Sequence, residues 1–288
     1  MKPFPIPVVS IGPGSQPEEE DDLKYLDMPK GMSTFSMPDL PEPEEAAGLD
    51  EALGVLRWLH EAAEAYANGG DSQRLDLASL DDANRKLLDQ VLGEGEVSAT
   101  VSGEAPVQAQ ESVFAGVWRV RVCNSAGAVV RDLLEVGPVP EVLVAASQGA
   151  SRPVLPQVEP LVGVMSALPV LAEIADRSAT RGEGDPTHVI NLTLLPLSPA
   201  DGTYLAAVLA PGPVVILSRG FGNCRITSTV VRDTWWVQYF NNMDRTLLDS
   251  IEMTRIPEVA MAGREDIRDS AMRIGEVLEW LEQSEAGE

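Results

Sequence analysis

The sequence predicts an α+β fold, in which helices pack on antiparallel sheet. Three observations predict it. Leucines recur at helical spacing near residue 50, and a second apolar helical face lies near residue 275. Between them, short segments alternate polar and apolar residues and are bounded by Gly and Asn, which is the signature of strands and tight turns. The chain also matches itself at an offset of 117 residues. From Leu88 to Ala145, sixteen of 58 positions repeat without a gap, among them Gly95/Gly212, Trp118/Trp235, Asn124/Asn241 and Asp132/Asp249. The repeat is easiest to see in PVPEVLVAA at 138–146 and RIPEVAMAG at 255–263.

Taken in order, residues 1–46 read as a flexible arm. They hold nine of the 22 prolines and the acidic runs EEEDD and PEPEE, and little there can build a core. A first α+β repeat spans 47–147. It is introduced by a helix at 48–66 with Leu49, Leu53, Leu56 and Leu59 on one face, stopped by GGD at 69–71. RLDLAS then enters a second helix, with Ser79 as its N-cap and Asp81 and Asp82 in its first turn. Gly93 and Gly95 end it, and strands follow at 96–101, 112–122 and 128–136. Each lobe thus reads β-α-β-β-β, and the fold is an internal duplication of two such lobes behind an extended acidic arm. Residues 148–187 form a linker and a helix that Pro169 kinks or divides. The second repeat spans 188–263. There HVINLTLL is the entering strand, and Ser198-Pro199 supplies a cap and a first-turn proline. Residues 264–288 carry a closing amphipathic helix with Ile267, Ala271, Ile274, Leu278 and Leu281 on one face.

Composition excludes several functions. The formal net charge is −24, which repels the phosphate backbone of nucleic acids and anionic membrane surfaces alike. The two cysteines, Cys123 and Cys224, build no disulfide framework and point to a reducing, cytoplasmic setting. They occupy non-equivalent positions of the two repeats, so they read as structural thiols rather than a duplicated ligand pair. The two histidines, His60 and His188, lie in different elements, and no His/Cys cluster shows metal-ligand spacing. GPG, GEGE and RGFGN lack the Lys-Ser/Thr of a phosphate loop and read as turns. The expectation is a binding protein with no catalytic residue, metal or cofactor. Two stretches are candidates for partner binding. Gly12, Pro13 and Gly14 lie in the arm. Trp236 and Phe240, in TWWVQYF, either pack under a helix or form an exposed patch, and packing is the favoured reading.

VLGEGEVSATVSG, ESVFAGVWRVRV, INLTLLPLSPAD and IPEVAMAGREDIRDSAMRIGEVLEWL together resemble the HupH/HyaF/HoxQ family of hydrogenase expression and maturation proteins. IGPGSQPEEE and MPDLPEPE resemble that family's leading segment, so the likeness runs from about residue 10 to 283. The resemblance implies a cytoplasmic accessory of uptake [NiFe] hydrogenases. It implies action on the iron–sulfur small subunit before export, beside a thioredoxin-like maturation partner, so that clusters are protected or completed. The leading expectation is therefore chaperone-like binding of the small-subunit precursor, including its basic twin-arginine signal peptide. The alternative is an iron–sulfur carrier or scaffold using Cys123 or Cys224.

Overall fold

Alternation of apolar and polar residues resolves into one continuous sheet. The computed structural model describes residues 40–283, except 161, 183, 221 and 242. Its strands are β1 Gln73–Asp76, β2 Val97–Val101, β3 Val107–Glu111, β4 Val117–Cys123, β5 Val129–Val136, β6 His188–Asn191, β7 Pro211–Ser218, β8 Asn223–Thr229, β9 Thr234–Phe240 and β10 Thr246–Met253. They lie in the order β1-β5-β4-β3-β2-β7-β8-β9-β10-β6, and every neighbouring pair is antiparallel. The strands before residue 140 fill one side and those after 187 fill the other. They meet at β2 and β7, where Ala99 lies opposite Ile216.

The helices are α1 Pro43–Ala46, α2 Asp50–Ala67, α3 Asp82–Leu92, α4 Glu141–Gly149, α5 Ala167–Thr180, α6 Pro199–Leu209 and α7 Arg264–Glu282. Single 3₁₀ turns occupy Leu192–Leu194 and Glu258–Ala260. On one face of the sheet, α2, α3 and α7 bury Leu56, Leu59, Leu88, Ile274 and Leu281 with Leu134 and Val136 of β5. Further along that face, α5 and α6 bury Ile174 and Leu205 with Ile251 and Met253 of β10. The opposite face is apolar across its centre. There Trp118, Val120, Val214, Ile216, Ile226, Trp235 and Val237 pack with Leu143 of α4 and with Ile256 and Ala260.

Several sequence expectations need correcting. The strand expected at 112–122 is the second arm of a hairpin. VQAQE, residues 107–111, is a strand of its own, so four consecutive strands follow α3 rather than three. Its inward apolar residues are only Val107 and Ala109, too small to stand out beside the two glutamines, which face the other way. The cap of α3 is Asp81, whose carboxylate accepts the Asn84 N–H at 2.8 Å, and not Ser79. Pro169 neither kinks nor divides a helix. It is the third residue of α5, where no intrahelical N–H bond is lost. HVINLTLL is half strand and half 3₁₀ turn. Ser198 caps α6 as expected, its hydroxyl accepting the Asp201 N–H at 3.1 Å, with Pro199 opening the helix.

Corresponding close contacts occur on the two sides. The indole N–H of Trp118 donates to the Gly137 carbonyl and that of Trp235 to the Thr254 carbonyl, each at 3.1 Å. A Cβ on Gly95 would sit 2.2 Å from the Ser112 carbonyl oxygen, and one on Gly212 would sit 2.5 Å from the Ser228 hydroxyl. Only glycine lets these chains approach so closely. The two Pro-Glu-Val segments sit at equivalent places. Val142, in the first turn of α4, and Val259, in the second 3₁₀ turn, both pack over the apolar central face.

Candidate partner-binding site

β9 carries Trp235, Val237 and Tyr239 on the apolar central face, because side chains alternate along a strand. Trp236, Gln238 and Phe240 therefore look toward the α5/α6 face. Trp236 is half-buried against the α5/α6 core, and its indole N–H donates to Asp249 Oδ1 at 2.5 Å. Packing thus accounts for the body of Trp236. Phe240 is half-buried at the end of the strand, with the Arg225 guanidinium 5.6 Å from its ring centroid. Gly12, Pro13 and Gly14 lie outside the described residues.

Asp249 comes into this region from β10, opposite Gln238 of β9. Gln238 Nε2 donates to its Oδ2 at 3.4 Å, and its own N–H donates to Thr193 Oγ1 at 2.7 Å. Burial raises its carboxyl above the ordinary value, while the Trp236 and Gln238 bonds pull it back down. Asp132 is its counterpart in register on β5, opposite Arg121 of β4. Arg119 grips Asp132 through Nε at 2.5 Å and Nη2 at 2.6 Å, and Arg85 reaches it at 3.3 Å. One aspartate is thus saturated by guanidinium groups, and the other is received by neutral donors.

The segment before α6 is fixed by a second carboxylate. Asp201 is buried and accepts the N–H groups of Ser198, Met165 and Ala167 and the Ser198 hydroxyl, at 2.7–2.9 Å. These bonds hold its carboxyl well below the usual carboxylate range, the Ala167 N–H contributing most. They join the start of α6 to the start of α5. Ser166 Oγ also donates to the Pro196 carbonyl at 3.0 Å.

The remaining reactive side chains are accounted for structurally. His60 Nδ1 lies 2.8 Å from the Ala271 carbonyl between α2 and α7, and His188 Nε2 lies 2.7 Å from Glu173. A cleft of about 240 Å³ lies beside Arg181, whose guanidinium donates to the carbonyls of Asp185, Pro186 and Met253. Both cysteines are buried. Desolvation pushes the Cys224 thiol up to about 12, with the Tyr239 hydroxyl bond opposing it. Three strands separate β4, which carries Cys123, from β8, which carries Cys224. Four strand spacings amount to ~19 Å, so one chain cannot bring both sulfurs to one metal. Among the described residues, no group of three or more His, Cys, Asp and Glu side chains is placed to hold a metal ion.

The architecture is α+β, and the comparisons agree with the resemblance read in the sequence. The sequence model described as HupH hydrogenase expression protein, C-terminal conserved region, matches residues 49–153 and again 164–281. The chain is 50% identical over 283 residues to the hydrogenase expression/formation protein HoxQ of Cupriavidus necator, covering 98% of this chain and 99% of that one. It is 46% identical over 277 residues to the hydrogenase expression/formation protein HupH of Rhodobacter capsulatus, covering 96% and 98%. A solved structure of hydrogenase expression protein HupH from Thiobacillus denitrificans is 32% identical and covers 35% of this chain and 90% of its own, with a TM-score of 0.31. The chain belongs to the HupH/HyaF/HoxQ family of hydrogenase expression proteins.

Sequence reasoning alone missed Asp249. The signal was present in the self-match. Asp132 recurs as Asp249 while Arg119 and Arg121 become Trp236 and Gln238, so the acid persists and its cations do not.

Proposed function

We propose that the protein is a maturation accessory that binds the iron–sulfur small-subunit precursor of an uptake [NiFe] hydrogenase before export. Binding would cover cluster-proximal or signal-peptide surface and so protect the clusters or aid their completion. The observation that carries this reading is near full-length identity to proteins named for hydrogenase expression and formation. The net charge of −24 favours a basic partner segment such as a twin-arginine signal peptide. The same reading places the protein in the cytoplasm, beside a thioredoxin-like partner, and gives Gly12, Pro13, Gly14, Trp236 and Phe240 to partner contact. Among the described residues, no helix is long and apolar enough to cross a membrane. The carrier alternative draws no support from the thiols, which are buried and set in separate parts of the sheet.

The two-sided sheet, the double match of one family sequence model and the repeated glycines and tryptophans support descent from a duplicated lobe. On that view the retained halves serve as scaffold, and function lies where they differ.

Pull-down with the small-subunit precursor, with and without its signal peptide, tests the binding role. Retention of the complete precursor is expected. Failure to retain either form contradicts the proposal.

A further inference from the structure

Asp201 and its neighbours hold three chain segments so that their bulky apolar side chains stand in solvent. Met165 precedes the cap of α5 and Leu168 lies in its first turn, Leu194 and Leu195 come from the turn before α6, and Leu247 from β10. Met165, Leu194 and Leu247 are 77%, 79% and 61% exposed. The segments are neighbours. Ser166 bonds to Pro196, and Thr193 exchanges hydrogen bonds with the backbone of Asp249, two residues beyond Leu247. Leu247 sits where the β9–β10 register shifts, in an irregularity that re-aims side chains. Scattered leucines on a surface need no explanation, whereas exposed bulky side chains gathered on segments that are hydrogen-bonded to one another are the pattern of an interaction surface.

Asp249 borders these segments, its backbone bonded to Thr193 and its position two residues beyond Leu247. It is half-buried, and the side chains that receive it among the described residues, Trp236 and Gln238, are neutral. Its counterpart Asp132 shows what this strand position accepts in the same sheet, namely guanidinium groups. We propose that the Met165/Leu168/Leu194/Leu195/Leu247 surface docks a partner segment that carries bulky apolar side chains beside an arginine, the guanidinium pairing with Asp249. Leu and Met side chains adapt to varied apolar surfaces, and an Arg–carboxylate pair fixes register and orientation. Net charge selects among occupants. A second copy of a chain at −24 is repelled, as is an anionic lipid surface, whereas a basic peptide segment is attracted. The inference rests on the precursor-binding role proposed above.

The test uses the full chain and the hydrogenase small-subunit precursor as probe. Leu194→Glu and Asp249→Asn are compared with wild type and with Val130→Glu, a control at a residue 57% exposed on β5. A photo-crosslinking residue is placed at Leu168. Circular dichroism in the near ultraviolet checks that each variant keeps its packing. Wild type and Val130→Glu should retain the precursor, both test variants should bind about tenfold more weakly or worse, and Leu168 should crosslink to it. If wild type retains the precursor and both test variants do so equally, this surface is wrong and the binding role stands. If wild type fails to retain it, the role falls and takes the inference with it.

Discussion

Replacing Asp132 with Asn removes the more buried of two carboxylates that serve the guanidinium groups on the helix-covered face of the first half, and leaves Arg119 with Asp89, a half-exposed partner 3.0 Å away. Asp132 is 8% exposed, and the side chain of Arg119 that grips it is 11% exposed, so water cannot take the place of the lost charge for that pair. Arg85 and Arg121 are more open, at 28% and 41%, and recover hydration by small movements. Removing one member of a buried pair costs about 3–5 kcal/mol in general; Asp89 still reaches one edge of Arg119 and the two open arginines add little, so the expected loss is at the low end, about 3 kcal/mol. Urea unfolding at neutral pH measures it, with an unchanged slope showing that the compactness of the end states is unaltered. The double replacement Arg119→Met with Asp132→Leu should recover most of the loss, because an apolar pair of similar size leaves no stranded charge. A loss below about 1 kcal/mol for the single variant, or a double variant no better than the single, would refute the reasoning.

Glu111 is buried, and desolvation raises its carboxyl to about 7 against a backbone bond from Gly116. Because the folded value lies above the unfolded one, its stabilising protonated form is complete below pH 4.5 and is lost as pH rises through 7, with a full swing of about 3 kcal/mol. Urea titrations at pH 5 and pH 8 should show Glu111→Gln with most of that dependence removed, and an unchanged slope against pH would contradict it. Gly95→Ala and Gly212→Ala should each destabilise by more than about 1 kcal/mol, since the added methyl meets backbone oxygen at 2.2 Å and 2.9 Å. Gly54→Ala, in open space on α2, should stabilise slightly, and thermal melts of the three variants beside wild type read both directions. Iodoacetamide at pH 8 should leave both cysteines of the native protein unlabelled for as long as it stays folded, and label both in urea. Rapid native labelling of Cys224 would overturn the account of its thiol.

Local signals carried much of the architecture. The leucine face of α2, the Ile/Leu face of α7 and the Ser198-Pro199 start of α6 each act within one element, and the structure keeps them. Where the signal was weak, the reading slipped. β3 offers one valine and one alanine to the core, so its existence depends on being sandwiched between β2 and β4. Pro169 suggested a kink only while the start of α5 was unknown; that start is set by Asp201, 34 residues away from Ala167. The candidate surface was less legible still. Leu194 and Leu195 read as strand interior in HVINLTLL, because nothing local reports that the strand ends at Asn191 and turns outward. Trp236 stands out in the sequence by its size, yet the more telling residue is the smaller Asp249 it bonds, whose meaning appears only when β9 and β10 are paired.

The position of α7 has a consequence for synthesis. It is the last helix among the described residues, yet it packs on α2, with His60 against the Ala271 carbonyl and Gly275 admitting the imidazole at 3.2 Å from where a Cβ would stand. Until Leu278 and Leu281 leave the ribosome, the leucines of α2 and the inner edge of β5 have no lid. The first half therefore stays open while the second half is translated, and it closes once α7 has emerged. A chain ended at Gly263 should lose the core made first, which holds the α7 residues, and spare the one made last, which holds none.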